Sequence, residues 1–191
     1  MDIEDVSLGY AGGVPEPEKG RCRLEAPSPE DGTAFADMMA EWRAAGGRMN
    51  PGLLRLYGGN YAVWLRCLAD WDAGIGTDGE VPQTLYFLKG ADGALLGAVA
   101  VRHYLNHTNT LDGGHVAYGV RPSCRGRGYG NAALRLALKK LAMMGITRVL
   151  VTCDSDNELS RKVILRCGGV LENHARDEDG VPIDRFWIEN A

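Results

Sequence analysis

Apolar positions follow a helical period before residue 80 and a strand-like one after it. Ser28-Pro29-Glu30-Asp31 offers an N-cap, a proline at the first helical position and an acid three residues after the cap. A helix is therefore expected from there to about Ala45, stopped by Gly46-Gly47. Tyr61, Trp64, Leu65, Leu68 and Trp71 recur at three- and four-residue spacing, which predicts a second helix whose aromatic stripe reads as core. From Gln83 the period shortens. The apolar runs 84–88 and 94–101, joined by Ala91-Asp92-Gly93, predict a hairpin, and a further strand is expected over 115–121. A glycine-rich loop then opens an amphipathic helix that runs to Gly145. The β-branched run 148–153 predicts an inner strand, 157–166 a helix ended by Gly168-Gly169, and 170–174 and 183–188 two last strands about the turn Asp177-Glu178-Asp179-Gly180.

Ahead of these elements, residues 1–20 carry Gly12, Gly13, Pro15, Pro17 and Gly20 among acids and read as an irregular arm, followed by a short strand over 21–26. Residues 21–191 show no repeat and no second-domain linker, so one α/β domain is expected, a mixed sheet with helices packed on it.

Composition narrows the classes. The chain has 191 residues, 45% apolar and 24% charged, enough to bury a core and too ordinary for a disordered or fibrous protein. No apolar run reaches the roughly 18 residues of a membrane span, and the acidic Met1-Asp2-Ile3-Glu4-Asp5 is unlike a signal peptide, so a cytoplasmic protein is expected. Net charge is −4, which offers no bulk attraction to nucleic acid or to an anionic membrane. The five cysteines are widely spaced, without a C-x-x-C pair, and are expected to be neither zinc ligands nor a disulfide framework.

The chemistry concentrates in 116–130, a strand, a loop and a helix start that contain Arg125-Gly126-Arg127-Gly128-Tyr129-Gly130. Glycines let backbone amides approach a ligand, and a helix N-terminus presents unpaired N–H groups at its positive end. Such a place wants an anion, and two arginines suit a pyrophosphate. A phosphate-binding P-loop does not fit, since no Lys-Ser or Lys-Thr follows the glycines. A dinucleotide fold, and with it a nicotinamide-dependent oxidoreductase, is weakened by Asn131 at the third fingerprint position and by the hairpin that comes first.

At Arg125-x-x-Gly128-x-Gly130 the sequence resembles the GNAT superfamily of acyl-CoA N-acyltransferases. Val120-x-Pro122 before the loop and Asn157-x-x-Ser160 after the next strand are similar to the family's flanking motifs, and 114–123 looks like a subgroup of acetyltransferases of unassigned substrate. The resemblance covers about residues 80–190. It implies a single-domain GNAT-like fold with a mixed, mostly antiparallel sheet and helices on both faces. Acetyl-CoA would be the cosubstrate, without a metal, and a small-molecule or peptidyl primary amine the acceptor, attacking directly in a ternary complex. The pyrophosphate would lie on the amides of Arg125, Gly126, Arg127, Gly128, Tyr129 and Gly130. Pantetheine would run beside Tyr118, Gly119 and Val120 and meet Asn157 and Ser160. The exposed last strands of such folds can also pair two chains in a homodimer.

Acyl transfer needs a neutral amine, a polarised carbonyl and a proton for the thiolate. The tyrosine that many relatives place seven residues after the Asn is Ile164 here, so the acid must lie elsewhere. His115 is the expected base, the Tyr118 N–H polarises the carbonyl, and Ser160 holds a water or the thiol. Without those roles the chain would be a non-catalytic acyl-CoA sensor. The acceptor pocket is expected from residues before 80 and from the polar connection 103–112.

Overall fold

Strand β3 (Leu95–Arg102) divides the protein between two cores. Successive side chains of a strand point to opposite faces, and here Val99 and Val101 enter one core while Ala98 and Ala100 enter the other. In this computed structural model, which describes residues 22–76 and 79–190, β1 (Arg23–Glu25), β2 (Gln83–Lys89), β3 and β4 (Val116–Val120) form an antiparallel sheet in chain order. The arm expected over 1–20 lies outside the described residues. A second antiparallel sheet has the order β5 (Arg148–Asp154), β7 (Pro182–Glu189), β6 (Val170–Arg176).

Helices α1 (Gly32–Ala45) and α2 (Tyr61–Ala73) cover the alanine face of β3. The small alanines leave room for Phe35 and Trp64, whose rings stack 4.4 Å apart. Trp64 and Leu68 of the expected stripe are buried. The opposite face is covered by α3 (Tyr129–Met143) and α4 (Glu158–Arg166) through Ala133, Leu134, Ala137, Leu141 and Ile164. The first turn expected of α1 is instead a 3₁₀ turn at Pro29–Asp31, because the Asp31 carboxylate accepts the Ser28 N–H at 2.8 Å and also meets Lys89 Nζ at 2.7 Å, pinning the helix start to β2.

The single mixed sheet is therefore split. β4 and β5 are joined at one place only among the described residues: the His115 N–H donates to the Leu150 carbonyl at 2.7 Å, and the Leu150 N–H donates to His115 Nδ1 at 2.9 Å. Beyond it no ladder links the two strands. The connection expected as a polar stretch winds into a π turn at Asn109–Gly113, held to the second sheet by the Thr152 hydroxyl on the Asp112 carbonyl at 2.7 Å and by Arg185 on the Thr110 carbonyl at 2.8 Å.

Candidate active site

The gap between β4 and β5 opens into a cavity of about 1050 Å³. Antiparallel pairing alternates along a strand. With Arg102 N–H on the His115 carbonyl and Arg121 N–H on the Leu96 carbonyl, Ala117 and Gly119 face β3, and the N–H and C=O groups of Val116, Tyr118 and Val120 fall on the free edge. Two of these carbonyls already accept side chains: Tyr118 from Asn50 Nδ2 at 3.3 Å and Val120 from Arg125 Nε at 3.2 Å.

At one end of the cavity the chain turns through Pro122–Cys124 into α3. Arg121 is fixed by Glu41 of α1, whose carboxylate takes Arg121 Nε at 2.8 Å and the Ser123 N–H at 3.3 Å. The Arg121 guanidinium holds the Glu41 carboxyl down to about 2. Gly126 and Gly128 adopt φ of +77° and +83°, a backbone that L side chains rarely take. Among the described residues, the N–H groups from Gly126 to Gly130 find no backbone acceptor. Open amides at the positive end of a fifteen-residue helix fit a diphosphate. Arg125, Gly126, Gly128, Tyr129 and Gly130 line the cavity. Arg127, expected with them, is exposed and stands off its wall.

Across the gap, Asn157 caps α4 by accepting the Ser160 N–H on Oδ1 at 3.0 Å. Ser160 Oγ lies 3.0 Å from the Tyr118 hydroxyl, so β4 and α4 meet through a hydroxyl pair beside the strand edge. Burial raises the Tyr118 pKa, so this phenol stays protonated. Cys153 lines the same region as a neutral thiol, pushed up to about 11 by burial and then by Asp184 and Asp154. Asp184, fully buried, ties α4 to the second sheet by accepting from Arg161, from the Ser155 hydroxyl at 2.7 Å and from His174 Nδ1 at 2.7 Å. Ile164 is core and takes no part in the wall.

His115 has a different place from the one expected of a base. Its ring is buried and off the cavity wall, its Nδ1 lone pair is committed to Leu150, and burial followed by the Arg102 charge lowers its pKa to about 4. A proton acceptor for an incoming amine needs a lone pair that faces it. His115 holds the two sheets together instead.

The other end of the cavity takes Arg48, Asn50, Arg55 and Trp71 from the segment before residue 80, and Asn109 and Asp112 from the connection, the segments expected for the acceptor. Sequence reasoning missed Asn50. A Cβ on Gly119 would stand 2.0 Å from the Asn50 carbonyl oxygen, so the bulk excluded at Gly119 is the chain's own strap, not only a passing ligand. Nothing local in the sequence around Asn50 shows that it lies on β4.

Residues 21–170 match the model of the acetyltransferase (GNAT) domain. No curated protein matches the sequence. Among solved structures, the chain is similar to an acetyltransferase from Agrobacterium tumefaciens str. C58, at 20% identity, TM-score 0.58 and coverage of 97% of this chain and 99% of that one. The microcin C7 self-immunity acetyltransferase MccE, in complex with acetyl-CoA and AMP, is similar at 16% identity and TM-score 0.60 over 88% and 92% of the two chains. A spermidine N-acetyltransferase SpeG chimera from Vibrio cholerae and hSSAT is similar at 14% identity and TM-score 0.58 over 90% and 96%. At these identities the likeness is one of fold, and the family model supplies the rest: the chain belongs to the GNAT acetyltransferase family and is an acyltransferase.

Proposed function

We propose that the protein moves the acetyl group of acetyl-CoA to a primary amine by direct attack in a ternary complex. The observation that carries this reading is the free edge of β4 lying between the open amides of 126–130 and the Tyr118–Ser160 hydroxyl pair. Acetyl-CoA, when bound, supplies a thioester. The amides of the loop hold its diphosphate, and the Val116, Tyr118 and Val120 edge offers backbone partners to the pantetheine arm. The Tyr118 N–H polarises the thioester carbonyl. As the N–C bond forms and the C–S bond breaks, the amine releases its proton to solvent water in the open cavity, and the departing sulfur gains one from the Ser160 hydroxyl, backed by the protonated Tyr118 phenol and reprotonated from solvent, or from a water held there. Five unpaired thiols suit a reducing compartment, which supports a cytoplasmic place.

The test is mass spectrometry of an amine panel incubated with protein and acetyl-CoA. Acetylated product with stoichiometric release of free CoA supports the reading. Tight CoA binding without any product makes the chain a sensor, and binding of NADH but not of CoA returns it to the dinucleotide class.

A further inference from the structure

The segment 42–69, which brings Arg48, Asn50 and Arg55 to the cavity lining, carries charge of a single sign. Between Glu41 and Asp70 the sequence has arginines at 43, 48, 55 and 66 and no acid, in a chain whose net charge is −4. Two of them, Arg48 and Arg55, line the cavity. Arg55 Nη1 donates to the carbonyl of Met49, the residue after Arg48, at 2.9 Å. Partial burial lowers the Arg55 pKa, and the like charge of Arg48 lowers it further. Among the described residues neither forms an ion pair with a carboxylate. The other arginine of this end, Arg102, is turned to the chain's own backbone: its Nη1 donates to the Gly113 and Gly114 carbonyls at 2.9 and 2.8 Å, and Glu80 and Asp112 offset its charge. Two neighbouring guanidiniums with no ion-paired carboxylate among the described residues form a site that a bound anion stabilises.

Asn50 sets the distance. It lies two residues after Arg48 and five before Arg55, and it touches β4 directly, through Nδ2 on the Tyr118 carbonyl and through its own carbonyl over Gly119. A residue spans at most about 3.6 Å of chain, so the arginine pair is anchored within a short reach of the edge where the thioester is placed.

Resting on the acetyl-transfer reading, we propose that the acceptor is a small amine that also carries an anionic group, a carboxylate or a phosphate, held by Arg48 and Arg55 while its nitrogen faces the β4 edge at Tyr118. The arginines then set which amine is acetylated and take no part in the bond changes.

The experiment uses the full chain and matched probes: glycine against glycinamide, and aminoethyl phosphate against ethanolamine, each with acetyl-CoA and detection of released thiol. The wild-type chain should favour a charged member in kcat/KM by about tenfold or more, the usual size of one charge-assisted contact. The pair with the larger preference tells carboxylate from phosphate. Arg48→Ala and Arg55→Ala should each shrink that preference and the double variant should erase it, with the dissociation constant of acetyl-CoA unchanged. A wild type that favours the neutral members, or a double variant that loses both members equally, overturns the proposal. Calorimetry of N-acetylglycine against N-acetylglycinamide, with CoA present, separates the two readings. A preference for the acid that the double variant loses upholds the anion site even if no amine is turned over, whereas equal affinity for both rejects it.

Discussion

His115 and Leu150 exchange two hydrogen bonds at the point where β4 and β5 begin to diverge, one from the His115 N–H to the Leu150 carbonyl and one from the Leu150 N–H to His115 Nδ1. The second bond exists only while Nδ1 is unprotonated. A ring whose pKa is about 4 in the folded chain and 6.5 in the unfolded one gives the unfolded state more protons between those values. Its contribution to stability is therefore complete above pH 6.5 and falls away as the pH drops to 4, by about 3 kcal/mol at most.

We expect His115→Gln to lower stability at pH 7, because the replacement must rebuild the bond to Leu150, and to flatten this pH dependence. Denaturant unfolding at pH 7, 5.5 and 4 measures both. An unchanged slope between pH 6.5 and 4 would assign the dependence to other groups. Acetyl transfer, if His115 is only a clamp, should keep its pH profile in any variant that folds.

The hydroxyl pair makes a kinetic prediction. Tyr118 and Ser160 lie 3.0 Å apart and act as one unit, so Tyr118→Phe and Ser160→Ala should each lower kcat by roughly ten- to a hundredfold, about 1.4 to 2.7 kcal/mol, and the double variant by little more than the worse single one. Acetyl-CoA affinity should change little. Multiplicative losses in the double variant would show that the two hydroxyls serve separate steps. Full activity in both single variants would move the proton donor away from this pair.

Two glycines answer to different forces. Gly119 has no left-handed backbone to protect, and its constraint is the Asn50 carbonyl 2.0 Å from where a Cβ would stand. Gly119→Ala must push the Asn50 strap off β4, at a cost of roughly 1–3 kcal/mol in stability, and should raise the KM for the acceptor. Gly128 sits at φ +83° at the N-cap of α3. Gly128→Val strains that turn and blocks the approach of a phosphate to the amides, so CoA binding should disappear while circular dichroism stays close to the parent's. Unchanged CoA affinity in Gly128→Val would remove the diphosphate from this loop.

The loop and the cap proposed to meet the cosubstrate were legible in the sequence because they are local: Arg125 to Gly130 and Asn157 to Ser160 are short stretches whose spacing alone sets a helix start and a cap. The period of the apolar positions, read with cap and stop residues, likewise marked α1 to α4 and β2 to β7 nearly to their ends. The rest depends on contacts between distant residues. His115 looked like a base because a histidine on a strand beside the loop has the right chemistry, and only the fold shows its Nδ1 turned to Leu150. Asn50 reaches Tyr118 across 68 residues, and no local pattern encodes that reach. The break of the sheet between β4 and β5 is not encoded in the apolar pattern, which is the same for a strand at a gap and a strand inside a ladder.

Glu41 links α1 to the loop proposed to hold the diphosphate, through Arg121 and the Ser123 N–H, and it is a strut whose charge can be removed without changing its shape. Its carboxyl titrates near 2 in the folded chain against 4.5 unfolded, so its contribution is present above pH 4.5 and is lost as the pH falls through 2. Glu41→Gln should flatten stability over that acid range and, at neutral pH, cost about 1 kcal/mol, since the pair is partly exposed to solvent. The larger effect should fall on the cosubstrate. Releasing Arg121 loosens the turn at Pro122–Cys124 that aims the amides of 126–130, and the dissociation constant of CoA should rise severalfold while that of an acyl-pantetheine lacking the diphosphate stays put. Equal losses for both ligands would mean that Glu41 supports the whole β4 edge rather than the loop alone, and a fall in melting temperature with neither affinity changed would confine it to holding α1 on the sheet.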